Sequence, residues 1–419
     1  DYLTVMGARE LSLKEGVKHA TLNYRVSAMA LPNDPLYSRQ RWHYEMIGLP
    51  QAWDLTKGSS EVTVAVLDSG VSRHPDLVEN LLPGYDFVNV DPNGDGDSVE
   101  DADPSDPGEA SPSIRRSHGT HVAGTVSARG GNLTGVTGVS WNSKILPVRV
   151  LGTSTGEWAA VLKGLQYSAG LLPSLQPTRR ADVANLSLGT SVAVPCDPNT
   201  QAVIGQVRKA GVIVVAAAGN DERKPVLSPA NCDGVIAVSA VSESRALTYY
   251  SNIGPEVDVA APGGAGSAAA GDDVFSTDIY RVGDGPIYPN DYTEKPGTSM
   301  ASPHVAGVAA LMKSVRSTLT PDEFDSLLMA GKLTDDLGEP GKDVKFGYGL
   351  INAYKAVIAA NSALGDAAAR ISVSPASVDL DATFTSSDVY VSLVGNASQA
   401  VLVKTSSPQA WVSVSDPIN

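Results

Sequence analysis

Five short, nearly continuous apolar runs rich in β-branched residues recur between residues 61 and 240, with helix-compatible stretches between them. They are EVTVAVL (Glu61–Leu67), ILPVRV (Ile145–Val150), VANLSL (Val183–Leu188), VIVVAAA (Val212–Ala218) and VIAVSA (Val235–Ala240). Runs of this length and composition are strands buried on both faces. Trp158–Ala169 and Thr200–Ala210 read as helices between them. Strands alternating with helices imply βαβ units, and so an α/β fold with a doubly wound, mainly parallel sheet and helices on both faces. Ligands of such sheets sit at the carboxyl ends of the strands. The polar residues Asp68, Ser187 and Asn220 fall there.

From about Gly365 the texture changes. Residues 371–415 alternate apolar residues with Ser and Thr, which reads as a small β-rich C-terminal segment. The Ala-rich stretch before it, Ala356–Ala369, reads as a closing helix and linker. A formal net charge of −15 argues against nucleic acid as a partner. No run approaches the roughly 18 apolar residues of a membrane span. The first residues show neither a basic start nor an apolar core of a leader, so the chain reads as processed or trimmed. Cys196 and Cys232 leave three readings open: two buried thiols, part of a metal site, or one disulfide.

Three segments carry chemistry together that none carries alone. Asp68 ends VAVLDSG, His118 opens HGTHVAGT, and Ser299 sits in GTSMASPH before an apolar helical stretch. A serine hydroxyl is a weak nucleophile until a base accepts its proton. Histidine titrates near neutrality, and a buried carboxylate fixes its tautomer and balances the imidazolium. The order Asp, His, Ser is one of the convergent triad orders. Asn220, ending VVAAAGN, supplies a side-chain amide for a developing oxyanion, with the Ser299 backbone N–H as its partner.

These four segments resemble the subtilisin-like serine protease family over roughly Leu31–Ala360. The resemblance implies a secreted serine endopeptidase with Asp68 as orienting carboxylate, His118 as general base and acid, Ser299 as nucleophile and Asn220 as oxyanion donor. It implies that Ser187, Leu188 and Gly189 form an edge pairing with substrate backbone. Ala216, Ala217, Ala218 and Gly219 would form the other wall of a primary pocket open to medium or large apolar side chains. Protein and peptide substrates, and a monomer, are expected. His121, His304 and Ser302 read as packing or local hydrogen bonding.

The resemblance also bears on the cysteines, because secreted relatives often pair residues placed like Cys196 and Cys232. Structural calcium is expected in two places. Asp91, Asn93, Asp95 and Asp97 match the first half of a calcium loop. Position twelve is Ala102, so this is not an EF-hand, and Glu100, Asp101, Asp103 or Asp106 would close the coordination. The family resemblance offers a second site at Asp76 and Asn132. Residues 1–30 resemble the tail of an inhibitory pro-domain, acting on its own chain, with self-cleavage expected within Ala28–Asn33. Residues 31–366 would be the catalytic domain and 367–419 a β-sandwich-like domain. Two alternatives share the fold: an inactive binding or adhesion module, and a peptide ligase using the same serine.

Overall fold

The computed structural model describes residues 31–89, 100–109, 113–153, 155–267, 271–283 and 285–362, with the backbone of 370–374 and 390–394. The expected pro-domain tail and calcium-loop residues 91–97 lie outside them.

The strands are β1 (Thr63–Asp68), β2 (Tyr85–Asp86), β3 (Ile114–Arg115), β4 (Lys144–Arg149), β5 (Val183–Leu186) and β6 (Ile213–Ala217). They continue as β7 (Val235–Val241), β8 (Val257–Pro262), β9 (Val274–Val282), β10 (Tyr288–Lys295), β11 (Thr334–Asp335) and β12 (Leu350–Ile351). One nine-stranded sheet runs β11-β12-β8-β7-β6-β5-β1-β4-β2. It is parallel throughout except for the antiparallel β11–β12 pair. The five apolar runs are its central strands, with ends within two residues of the expected ones.

The side-chain period of two divides each central strand between two cores. Val64 and Val66 join one apolar cluster with Ile213 and Val215. Ala65 and Leu67 join the other with Val214 and Ala216. The described α-helices are α1 (Arg41–Met46), α2 (Leu49–Leu55), α3 (His118–Ser127), α4 (Trp158–Ser168), α5 (Pro198–Lys209), α6 (Thr298–Val315), α7 (Pro321–Met329) and α8 (Ala353–Ser362). Residues of α3, α6 and α8 pack in the first cluster and residues of α4 and α5 in the second, so helices cover both faces. Helix α6 is buried on all sides over most of its length, which its run of Ala, Val, Gly and Met permits.

Strands β9 and β10 form an antiparallel hairpin that also pairs with β3. It is absent from the sequence reading because β10 (YPNDYTEK) is polar and carries no apolar alternation. Two further strands, β13 (Arg370–Ser374) and β14 (Tyr390–Val394), pair antiparallel in the C-terminal segment.

Cys196 and Cys232 are joined by a disulfide with Cα atoms 5.1 Å apart. The thiol and metal readings therefore do not apply. Closing a loop of this span contributes about 4 kcal/mol in the chain-entropy account.

Candidate active site

The strand order reverses beside β1: β5, β6, β7 and β8 lie on one side of it and β4 on the other. Asp68 is the last residue of β1 and is fully buried. His118 is the first residue of α3, whose N-cap Ser117 accepts the Thr120 N–H. Two glycines bring these elements together. A Cβ on Gly119 would lie 2.1 Å from the Gly70 carbonyl oxygen and 3.1 Å from Asp68 Cβ. Gly70 takes φ of +105°, and a Cβ there would meet the Pro104 oxygen at 2.6 Å. The result is a 2.7 Å hydrogen bond from His118 Nδ1 to Asp68 Oδ1.

Asp68 Oδ1 also accepts the Ser69 N–H at 2.8 Å. The His118 side chain is 25% exposed, enough to meet a substrate. Burial works against a charged ring, but the Asp68 carboxylate outweighs it by charge and hydrogen bond. It holds the imidazole pKa above its ordinary value of 6.5.

Ser299 is the second residue of α6, next to the positive end of a long buried helix. Its hydroxyl donates to the Ser187 carbonyl at 3.2 Å, and the Ser187 hydroxyl donates back to the Ser299 carbonyl at 2.7 Å. The expected bond from the Ser299 hydroxyl to the His118 ring is thus replaced by one to the end of β5. A further chain fixes this junction. Ser302 Oγ donates to Asn185 Oδ1 at 2.7 Å, and Asn185 Nδ2 donates to Ser187 Oγ at 2.9 Å.

Asn220 lies just beyond β6. The Thr298 N–H and hydroxyl donate to its Oδ1 at 2.8 and 3.0 Å. With its carbonyl occupied, the amide has one orientation, which leaves Nδ2 as the free donor. Asn220 Nδ2 and the Ser299 N–H each lie 3.6 Å from where a Cβ on Gly297 would stand. Two N–H donors therefore flank one small space.

A cleft of about 520 Å³ is lined by Ser69, His118, Leu151, Trp158, Ser187 and Leu188 among others. It shares Leu188, Gly189 and Ser191 with a second hollow of about 250 Å³ bounded by Ala217, Gly219, Asn220, Leu227 and Ser299. Ala217 and Gly219 face the hollow, whereas Ala216 and Ala218 turn into the core, because successive strand residues point to opposite sides. Thr298 and Leu227 belong to this region and were not foreseen. The GTSM run held a signal for Thr298, since it precedes the serine at a helix start.

His121 Nε2 lies 3.0 Å from the Val274 carbonyl, and His304 Nε2 lies 2.9 Å from His43 Nδ1, all in the interior. Burial keeps these rings well below the ordinary imidazole range, that of His304 at about 4. They are neutral packing groups. Of the acidic-loop residues, Glu100 pairs with Lys163, and Asp101 and Asp103 accept from backbone N–H groups two residues on. Asp106 is buried and accepts the Ser69 hydroxyl.

Asp76 and Asn132 do meet, Asn132 Nδ2 donating to Asp76 Oδ1 at 2.8 Å. Asp76 Oδ2 accepts the Val136 N–H at 2.8 Å. Asp34, unforeseen, accepts the N–H groups of Gly131 and Asn132. Burial pushes Asp76 up to about 6, and Asp34 beside it adds to the effect. Among the described residues there is no group of three or more His, Cys, Asp or Glu arranged for a metal, and no helix long and apolar enough to cross a membrane.

Residues 59–349 match the Subtilase family. The chain is 36% identical over 362 residues to the "Extracellular basic protease" of Dichelobacter nodosus, covering 80% of this chain and 57% of that protein. It is 37% identical over 372 residues to an "Extracellular protease" of Xanthomonas campestris pv. campestris, covering 84% and 61% respectively. Thermitase of Thermoactinomyces vulgaris is 35% identical, with 78% of this chain and 99% of thermitase covered. A solved structure described as proteases from Pseudoalteromonas arctica is 41% identical with a TM-score of 0.70, covering 78% of this chain and 99% of that one. The chain spans about three-fifths of the length of the first two of these relatives. With the match running from before β1 to the last turns before β12, the chain belongs to the Subtilase family.

Proposed function

We propose that this chain is a secreted serine endopeptidase that hydrolyses peptide bonds through an acyl-enzyme. The observation that carries the reading is the His118–Asp68 pair, on a cleft joined through Leu188, Gly189 and Ser191 to the hollow where a serine at a helix start meets an amide with its carbonyl already engaged. His118 takes the Ser299 proton once the hydroxyl swings from the Ser187 carbonyl to the ring. The serine oxygen adds to the substrate carbonyl, and the Ser299 N–H and Asn220 Nδ2 receive the negative oxygen. His118 then protonates the leaving amine, and water repeats the sequence on the ester. Leu188 and Gly189 would pair with substrate backbone, and the hollow bounded by Ala217, Gly219 and Leu227 would take a medium or large apolar side chain. Casein hydrolysis, abolished by a fluorophosphonate that labels Ser299, tests the reading. No label and no hydrolysis would leave a binding module, and label without hydrolysis would favour ligation.

Asn220→Ala is expected to lower kcat about 10²–10³-fold with KM within a few fold, the range known for such a donor in a subtilisin. The donor meets charge only after attack, so a loss confined to KM would remove Asn220 from the oxyanion role. Steady-state kinetics on one peptide ester decides it.

Export is supported by the extracellular designations of relatives and by the disulfide, which suits an oxidising compartment. Residues 1–30 as pro-domain tail, 31–366 as catalytic domain, 367–419 as a separate β-rich domain, self-cleavage and a monomeric state are part of the same proposal.

We assign structural calcium first to the Asp34–Asp76–Asn132 corner. Two buried carboxylates lie near each other there and accept only from neutral groups, so their oxygens, once turned from the N–H groups of Gly131, Asn132 and Val136, are the hard ligands a calcium ion takes. The acidic stretch holding Asp91, Asn93, Asp95, Asp97, Asp101 and Asp103 is proposed as a second site on its composition. Chelation by EGTA is expected to lower Tm by several degrees, as loss of a ligand specific to the native state requires. Asp76→Asn should abolish most of that difference, and an unchanged Tm on chelation in the parent chain would remove calcium from the proposal.

A further inference from the structure

The residue after Asp68 and the residue before His118 are both serines, and their hydroxyls converge on one carboxylate that no part of the mechanism above uses. Asp106 is 1% exposed. Its Oδ2 accepts the Ser69 hydroxyl at 2.6 Å and the Ser117 hydroxyl as well. Its Oδ1 accepts the Gly108 N–H at 2.7 Å. All three donors are neutral, so the carboxylate is held by geometry rather than by a counter-charge.

Ser69 stands between the two acids. Its N–H donates to Asp68 Oδ1, and its oxygen accepts the Gly119 N–H at 3.0 Å. Its hydroxyl also lies 3.3 Å from Asp68 Oδ1, the atom that receives the His118 N–H. A hydroxyl has one proton to give, and the shorter bond directs it to Asp106. Without that acceptor the proton would fall on Asp68 Oδ1 and compete with the imidazole for the same oxygen. Ser117, meanwhile, caps α3 and so sets where the helix carrying His118 begins.

We propose that Asp106 is a positioning residue of the triad. By taking the Ser69 and Ser117 hydroxyls it keeps Asp68 Oδ1 clear for His118 and holds the end of β1 in register with the start of α3. This rests on the proteolytic reading given above.

Asp106→Asn tests it, because an amide offers one acceptor and one donor where the carboxylate offers two acceptors. In the full chain, kcat is expected to fall between about tenfold and about hundredfold, the cost of small misplacements in such sites, with KM within about twofold. In the Ser299→Ala background, which prevents self-digestion, the NMR titration of the His118 ring should shift to lower pH. With Ser69→Ala added, no hydroxyl is left to compete for Asp68 Oδ1, so kcat should fall no further than in Asp106→Asn alone.

A folded Asp106→Asn enzyme with parental kcat and an unmoved His118 titration would overturn the proposal, as would losses that multiply in full. If Asp106→Asn does not fold, Ser69→Ala must lower kcat and Ser69→Thr must restore it; equal activity of the two variants would overturn the proposal. A parent chain inert to casein and fluorophosphonate, with the His118 titration nonetheless shifted by Asp106→Asn, would sink the proteolytic reading alone.

Discussion

Replacing Ser299 by alanine is expected to lower kcat about 10⁶-fold while leaving KM within a few fold, a size measured for a triad in a subtilisin. The loss is large because the three side chains act as one device. Without the hydroxyl, His118 has no proton to accept and no ester can form. A residual catalysis of about 10³-fold over water should survive, since the Asn220 amide and the backbone N–H of residue 299 still steady an oxyanion. Fluorophosphonate labelling should vanish together with turnover. The fold should hold, because the Ser187 hydroxyl donates to the backbone carbonyl of residue 299, which alanine retains. The serine hydroxyl in turn rests on the Ser187 carbonyl, and the proposed attack requires it to rotate about its Cα–Cβ bond toward the ring. Undiminished casein hydrolysis by the alanine variant would end the proposed mechanism.

Asp68→Asn should cost about 10⁴-fold in kcat near neutral pH. The carboxylate accepts the Nδ1 proton of His118 and so leaves Nε2 bare for the serine. An amide that turns its NH2 toward the ring forces the opposite tautomer, whose Nε2 already carries a proton. The same substitution moves the pH profile. Burial lowers the His118 pKa and Asp68 more than restores it, so the acid limb of kcat/KM in the parent enzyme should have its midpoint above 6.5. Without the negative charge burial prevails, and any residual activity should lose its acid limb to below 6.5. The linkage to stability has the opposite sense. A raised folded-state pKa means that protonated His118 stabilises the fold below pH 6.5, a contribution lost as pH rises through the folded-state value. An acid limb unmoved by the substitution would detach Asp68 from His118.

The central sheet was legible because burial on both faces leaves short, β-branched, largely apolar runs bounded by turn residues. Asp68, Ser187 and Asn220 stood out as polar residues at those ends. The hairpin β9–β10 was not legible, since its half-buried, polar strand obeys no apolar alternation. Nor were Asp106, Ser69 and Thr298. Each acts on a neighbour brought close by the fold, and Asp106 looked like one more acid in an acidic loop until its oxygens were seen to face inward. Ala216 and Ala218 were placed on the pocket wall although strand alternation alone sends them to the far side from Ala217. That signal was available, and the smallness of all three side chains concealed it.

The bridge between Cys196 and Cys232 encloses α5, β6, Asn220 and Leu227 in a covalent ring, whereas Asp68, His118 and Ser299 lie outside it. Within that ring the stretch Glu222–Pro225 is exposed, open to attack by a second enzyme molecule. A single cut there would release no fragment: the severed halves would stay tied and the molecular mass would rise only by one water. Damage at the oxyanion side of the cleft would thus pass unseen on a gel until a reductant was added.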